Sequence, residues 1–395
     1  MKVHIFDPQL NYIDGHYVNY DDAIVTELRQ RGIHTIVYGS AQQSSSIGSG
    51  LSVQPVFRRG LFDEVIDDPF TWPLDNLVRL GGQFHLDLST VDQSQFSADD
   101  LVLFPNILQY QIEGIRFWLL NLPAERRPRV MIKLGWLTFA MPHYQHRQNK
   151  ELLALLYRFT VRRLVAAHPR TWICSDTDEM VSQFETICGV KVHMLPLPVI
   201  IDDLPSREAG STRVCVAYLG HASMFKGVHL LPEIIRSVLA RENAPHFLIQ
   251  VYGDPQLCTA LQKEIAGCPA DAVTLTVGAV DPETYRRFLQ QAQIVLLPYA
   301  KEFYGWASSG IFSEAMSSGK VVVVTADTWL SRQLEKFHGG GVTVAGLNAQ
   351  EIAEAIRQAV GSLPKLTKLA STAAPLWRKQ NSPSSFVDKV LGLVA

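Results

Sequence analysis

The sequence predicts an α/β protein built from two doubly wound, Rossmann-like domains, and three observations carry that expectation. Short apolar runs alternate with amphipathic helical stretches along most of the chain, the pattern of parallel strands joined by covering helices. The alternation breaks near 195–212, LPLPVIIDDLPSREAGST, where prolines, acids, glycine and serines collect as in an interdomain linker, and then starts afresh. At 395 residues the chain also exceeds what one ordinary core accommodates. The expected division is 1–198 for the first domain, rejoined by a tail at 377–395, and 199–376 for the second.

Taken in order, Val3–Phe6 is a short apolar strand that Asp7-Pro8 ends. Gly15-His16-Tyr17-Val18-Asn19-Tyr20 then leads into a helix whose apolar positions Ala23, Ile24 and Leu28 fall at helical spacing, closing at Arg31-Gly32. Strands follow at 35–38 and Val53–Phe57, separated by a Ser/Gly-rich stretch at 42–50 expected to be mobile. Further strands are expected at Leu101–Phe104, 129–134 and Thr171–Ser175, with helices near 108–120, 150–167 and 178–187. Beyond the break come a strand at 213–219, a loop at 220–227 and a helix at 228–240. The remaining principal strands are 247–252, Val273–Val277, Ile294–Leu297 and 321–324, interleaved with helices. The tail after Pro375, LWRKQNSPSSFVDKVLGLV, ends in an amphipathic helix able to cross back onto the first domain.

Composition narrows the function. The 47% hydrophobic and 19% charged content is that of a soluble globular protein. A net charge of -2 argues against a nucleic-acid partner, because neutralising phosphates needs an excess of Lys and Arg. Five scattered cysteines without CxxC spacing indicate neither a disulfide framework nor a zinc site, and suit a reducing compartment. The opening MKVHIFDPQL has no signal-peptide pattern, and no apolar run is long enough for a bilayer. The expected location is the cytoplasm, in solution or peripheral to the inner face of a membrane.

Two stretches carry candidate chemistry. In LLPYAKEFYGWASSGIFSEAMSSGKVVVV, 296–324, a buried strand runs into a loop that delivers Ser308-Ser309-Gly310 to the start of a helix bearing Glu314. A helix start offers unpaired N–H groups and the positive end of the helix dipole, a seat for a diphosphate. Small residues let an anion approach the backbone, although Ser-Ser-Gly also serves as a simple cap. The second stretch, Tyr218-Leu219-Gly220-His221-Ala222-Ser223-Met224-Phe225-Lys226-Gly227, puts a glycine at a strand end and a cation a few residues on. Lys226 can neutralise a phosphate there, or be an ordinary surface lysine; His221 can donate to phosphate, or face solvent.

Together, Gly220-xxxxx-Lys226-Gly227, LPY and SSGIFSEAMSSGKVVVV with trailing Thr328-Trp329-Leu330 resemble the C-terminal domain of family 4 glycosyltransferases with the GT-B fold. The resemblance is good over roughly 213–360 and weaker over the first domain, apart from the Gly15-His16 loop and the order of elements. It implies that Lys226 holds the donor diphosphate and that Glu314, the second glutamate of a Glu-x7-Glu motif, binds the nucleotide ribose. Ser309, Gly310 and Ile311 would present amides to the phosphates, with Gly220, His221, Gly227, Tyr299, Tyr304, Trp306 and Ser308 completing the substrate-binding set. Two departures stand out: Trp306 occupies the place of the first motif glutamate, and His221 that of the arginine usually paired with the lysine. In the first domain Gly15-His16 falls where the resemblance implies that acceptor and donor sugar meet, so His16 is a candidate for proton exchange or sugar positioning, with Asp14 as an alternative.

His143 and His146 lie near another strand end; without a third ligand in the sequence they suit a loop or acceptor role better than a metal site. Of Trp118, Trp136, Trp172 and Trp306, only Trp306 is placed for stacking on a base or sugar. Arginines 126, 127 and 129, and 158, 162 and 163, read as solvated faces, or as a patch for an anionic membrane or glycan. The expected function is therefore metal-independent, retaining transfer of a sugar from a nucleotide-diphosphate donor, with no cofactor. The acceptor would be a glycan or lipid-linked molecule, in polysaccharide or glycoconjugate biosynthesis. A nucleotide-sugar epimerase, which needs more carboxylates, and a non-catalytic nucleotide-sugar or glycan-binding subunit are the alternatives.

Overall fold

The structure is a computed structural model that describes residues 1–10, 16–42, 51–63, 72–140, 147–198 and 213–395, and the side chains of 16, 17, 147 and 148 are not part of that description. Asp14, Gly15, His143, His146, residues 43–50 of the Ser/Gly-rich stretch and most of the proline-rich break lie outside the described residues. The chain divides into two compact units, Met1–Pro198 with Pro383–Ala395, and Val199–Ser382.

The first unit alternates β1 (Val3–Phe6), α1 (His16–Gln30), β2 (Thr35–Ser40), β3 (Val53–Phe57), α2 (Trp72–Leu88), β4 (Leu101–Phe104), α3 (Gln109–Asn121), β5 (Arg129–Lys133), α4 (Arg147–Ala167), β6 (Thr171–Ser175), α5 (Asp178–Cys188) and β7 (Val192–Met194). The strands form one parallel sheet in the order β3-β2-β1-β4-β5-β6-β7. Strands β1 and β4 are buried along their whole length, as a sheet covered on both faces requires. Helix α2 goes beyond the expected elements. Its apolar residues occur on several faces, and Leu74, Val78 and Leu86 are exposed, so no single apolar stripe marks it. Strand β7, three residues long, is too short to stand out as a periodic run.

The second unit contains β8 (Cys215–Ala222), α6 (Leu231–Leu239), β9 (His246–Gly253), α7 (Pro255–Ile265), β10 (Val273–Val277), α8 (Pro282–Gln291), β11 (Ile294–Leu297), α9 (Lys301–Tyr304), α10 (Gly310–Ser317), β12 (Val321–Thr325), α11 (Trp329–Lys336), β13 (Gly341–Val344), α12 (Ala349–Gly361) and α13 (Leu363–Gln380). Its six strands are parallel in the order β10-β9-β8-β11-β12-β13. The expected helix at 228–240 is a short turn over Val228–Leu230 followed by α6, whose first turn carries a proline. In this sheet the strand order reverses between β8 and β11, and ligands of doubly wound folds bind outside the carboxyl ends of strands at such a point.

The last helix, α14 (Pro383–Val394), belongs to the first unit. Its Phe386, Val387, Val390 and Val394 enter the core that contains Ile5, Ile24 and Leu28, and Arg31 of α1 pairs with Asp388 at 2.5 Å. The return begins at Pro383, not at the expected 377. Trp377 is fully buried in the second unit against Phe312, Trp329 and Phe337, so α13 stays there through its last turn.

Candidate functional site

The site is assembled at the carboxyl ends of β8 and β11. Strand β8 ends in Gly220-His221-Ala222, after which Met224–Lys226 form one tight turn that Ser223 caps by accepting from the Phe225 N–H. That turn is docked onto the loop following β11. The Ala300 N–H donates to the Phe225 carbonyl at 2.8 Å, Phe225 stacks on Phe303 at 5.8 Å, and the Tyr218 hydroxyl donates to the Lys226 carbonyl at 3.2 Å. Gly227 has φ +72, and a Cβ there would meet the Pro298 carbonyl at 2.5 Å, so a larger residue would push the turn off its support.

Helix α10 brings the other half. Ser309 is its N-cap, its hydroxyl accepting from the Phe312 N–H at 3.2 Å, and the Ser313 N–H reaches the Ser309 carbonyl. The amides of Gly310 and Ile311, in the first turn, have no acceptor within the helix. A Cβ at Gly220, where φ is +109, would lie 2.6 Å from Ile311 Cδ1 and 3.8 Å from Lys226 Nζ. Gly220, the start of α10 and the Lys226 ammonium therefore meet at one place, and only a glycine leaves room between them.

Burial sets the electrostatics of this place. Removal from water lowers the Lys226 pKa from 10.5 to about 8, with Glu314 acting in the opposite direction, and the ammonium sits 5.7 Å from the Tyr299 ring centroid. Glu314, one turn into α10, is raised from 4.5 to about 7 by burial. The Tyr285 hydroxyl of α8 donates to its Oε2, and this bond together with Lys226 favours the charged form. A cation and a carboxyl are thus held short of full charging in a helix-start environment, where an incoming anion would favour protonated Lys226.

The other candidates take supporting places. Tyr299 and Tyr304, 1% and 7% exposed, pack together at 4.3 Å as the floor under Lys226, leaving little of either ring for a ligand. Trp306 is 6% exposed and lies against Phe303 at 4.7 Å, so the expected stacking on a base or sugar gives way to packing in the protein's own aromatic cluster. His221 is exposed, with its ring edge-on to Tyr252 at 5.6 Å and across the face of Gly253, whose φ is +98. Although much of the residue faces solvent, the partial desolvation of its ring against Gly253 and Tyr252, and then Lys226, lower its pKa, so at neutral pH it offers a neutral donor and acceptor. Ser308 is half-buried at the mouth of the α10 turn. In the first unit, His16 opens α1.

Two groups escaped the sequence reading. Tyr285 lies one turn before Leu289 on α8, and nothing in that spacing says that it reaches Glu314. Gln250 of β9, 1% exposed, accepts from the Gly220 N–H at 3.0 Å and donates to the Gly278 carbonyl at 2.8 Å, fixing the strand end. In the first unit a separate buried cluster lies at the carboxyl ends of β1, β5 and β6. Lys133 Nζ is 3.0 Å from Asp176 Oδ2 and 5.1 Å from the Tyr20 ring centroid, with room left by Gly135. Burial raises the Asp7 pKa to about 6, and raises that of neighbouring Asp21 as well, with the charge of Asp7 adding to the effect.

Two parallel, doubly wound units, one bearing a lysine and a helix start at the switch point of its sheet, define a GT-B fold, the architecture of a large class of glycosyltransferases. Within the second unit, residues 212–362 match the family model described as Glycosyl transferases group 1. Solved structures agree in fold over the whole chain. Sucrose-phosphate synthase from Thermosynechococcus elongatus is 13% identical with a TM-score of 0.68, over 99% of this chain and 98% of that one. HepE from Anabaena, solved in complex with UDP and glucose, is 14% identical with a TM-score of 0.66, over 100% and 99%. WaaG, a glycosyltransferase involved in lipopolysaccharide biosynthesis, is 15% identical with a TM-score of 0.61, over 100% and 99%. No curated protein matches in sequence.

Proposed function

We propose that the protein transfers a sugar from a nucleotide-diphosphate donor to a glycan or lipid-linked acceptor, with retention of configuration and without a metal ion. The observation that carries this reading is the meeting of Lys226, Gly220 and the first turn of α10 at one point of the second unit. Lys226 and the Gly310 and Ile311 amides hold the diphosphate, and Glu314, steadied by Tyr285, accepts from the ribose hydroxyls. When the bond to the sugar breaks, negative charge grows on the diphosphate, and a half-buried ammonium with fixed amides stabilises it more than water can. The complex of Anabaena HepE with UDP and glucose supports the choice of donor class. His16, at the start of α1, takes the role of positioning the transferring sugar, a role that rests on the family resemblance.

The test is thermal-shift screening against a panel of nucleoside diphosphates and their sugars, followed by donor breakdown with and without candidate acceptors. Stabilisation by at least one diphosphate, and breakdown dependent on acceptor, is the expected outcome; stabilisation by none would remove the donor reading. Binding without breakdown under any acceptor would favour the non-catalytic subunit.

A further inference from the structure

The exposed large apolar side chains of the described residues are not spread evenly. Of thirteen, seven lie on α2, α3 and α4 of the first unit. These three helices form one layer: α2 and α4 both pack against α3, and Trp72, Leu80, Tyr110, Leu153 and Leu156 make their shared core. Helix α2 approaches α3 backbone to backbone, a Cβ at Gly81 meeting the Tyr110 carbonyl at 2.8 Å. With that side closed, α2 turns Leu74 and Val78 outward one turn apart on the same helix face, and Leu86 further along the helix is exposed as well. From α3 only Phe117, Leu120 and Asn121 are exposed, and from α4 the stripe at Leu155 and Phe159 faces solvent.

The charges around these residues are arranged to suit an anionic, partly apolar surface. Arg116 and Arg163 share Glu113, at 2.6 and 3.3 Å; Arg116 is buried over Phe117 at 4.3 Å, while Arg163 is exposed and lays its guanidinium over Phe159 at 4.8 Å. Arg79 and Arg158 are exposed beside Val78 and Phe159. The three helices hold seven Lys and Arg against four Asp and Glu, a formal +3 in a chain whose net charge is -2. Not every arginine takes part: Arg127 and Arg162 donate to backbone carbonyls of Leu122 and Cys188 and serve the fold.

We propose that this layer docks on the surface of an anionic lipid bilayer, its apolar side chains entering the headgroup boundary and its exposed Arg79, Arg158 and Arg163 meeting lipid phosphates. An interfacial site of this kind combines apolar insertion with cationic attraction, and guanidinium groups resting on aromatic rings can serve both. A second copy of the chain fits less well, because a two-fold contact sets the patch against itself and brings like charge to like charge. Among the described residues no helix is long and apolar enough to cross a membrane, so contact at this surface would be peripheral.

The experiment is flotation of the full chain with vesicles of one part phosphatidylglycerol to two parts phosphatidylcholine, compared with pure phosphatidylcholine. Wild-type protein should float with the anionic vesicles at low salt, weakly with the neutral ones, and less as salt rises. Val78→Ser with Leu155→Ser, at positions 74% and 56% exposed where folding is not at risk, should lower the partition about tenfold. Arg158→Glu should lower it in anionic vesicles only. The inference is overturned by absence of flotation, by anionic binding that Val78→Ser with Leu155→Ser leaves unchanged, or by a dimer that those substitutions dissociate. Thermal shift by nucleoside diphosphates in the same variants reads the donor site separately and should not change.

Discussion

Replacing Lys226 by methionine separates the two things its ammonium does. Methionine keeps most of the stem packed over Tyr299 and removes the charge. A pKa drawn from 10.5 down to about 8 means that the folded chain disfavours the charged lysine by up to about 3 kcal/mol, part of it returned through Glu314. The sign follows from proton counts. Between about 8 and 10.5 the unfolded chain binds more protons than the folded one, so wild-type stability rises with pH across that interval, and the penalty is complete below it. Lys226→Met should therefore be as stable as wild type or more so near neutral pH. Donor binding should move the other way. An ammonium about 4 Å from a phosphate in a half-buried site contributes up to about 4 kcal/mol at an effective dielectric of about 20. Loss of such a group costs about a hundredfold to a thousandfold in transition-state stabilisation. Urea denaturation and calorimetric titration of a stabilising nucleoside diphosphate measure both. Wild-type affinity should weaken as pH rises past about 8 while the variant's is flat. Unchanged affinity in Lys226→Met, or a loss of stability that accounts for the loss of binding, would refute the assignment.

Other expectations follow from the same geometry. Glu314, raised to about 7, stays protonated in the folded chain where the unfolded chain has lost its proton, so wild-type stability falls as pH climbs from 4.5 through about 7; Glu314→Gln should flatten that fall in urea titrations and weaken nucleotide binding about tenfold. Tyr285→Phe removes the donor that favours the Glu314 carboxylate and should move the acid limb of the nucleotide-binding profile to higher pH, with little change in fold. Gly220→Ala combines φ +109 with a Cβ 2.6 Å from Ile311 and should cost about 2 kcal/mol, read as a lower urea midpoint at constant slope. In the first unit, Asp21→Asn places an amide donor beside the raised Asp7 carboxyl and should stabilise the chain by about 1 to 3 kcal/mol above pH 6, an advantage that shrinks as pH falls from about 6 toward 3.8; Tm against pH measures it.

The fold was legible where one force acts alone. Val3–Phe6, Leu101–Phe104 and Ile294–Leu297 are apolar runs between turn residues and Val273–Val277 alternates β-branched and apolar residues, and all four are strands with those bounds. Helix α2 escaped because its outer face is apolar too, and a stripe cannot be seen when both sides carry leucine and valine. The candidate site was readable from Gly220, Lys226 and the Ser309 cap because strand ends and helix starts leave local signatures. Trp306 misled because a tryptophan in a polar loop looks available, whereas Phe303 three residues earlier covers it. Tyr285 and Gln250 were invisible for a different reason. Their roles depend on partners twenty-nine and thirty residues away, and no local pattern encodes a hydrogen bond across a sheet.

The seat of α14 on α1 bears on how the chain folds as it is made. Phe386, Val390 and Val394 are made more than three hundred residues after Ile5 and Ile24, yet they share one core with them. The second unit can close while the first still waits with an open apolar groove along α1, the kind of surface that invites aggregation during synthesis. A ribosome stalled before position 383 would therefore release a chain with one finished half and one sticky half.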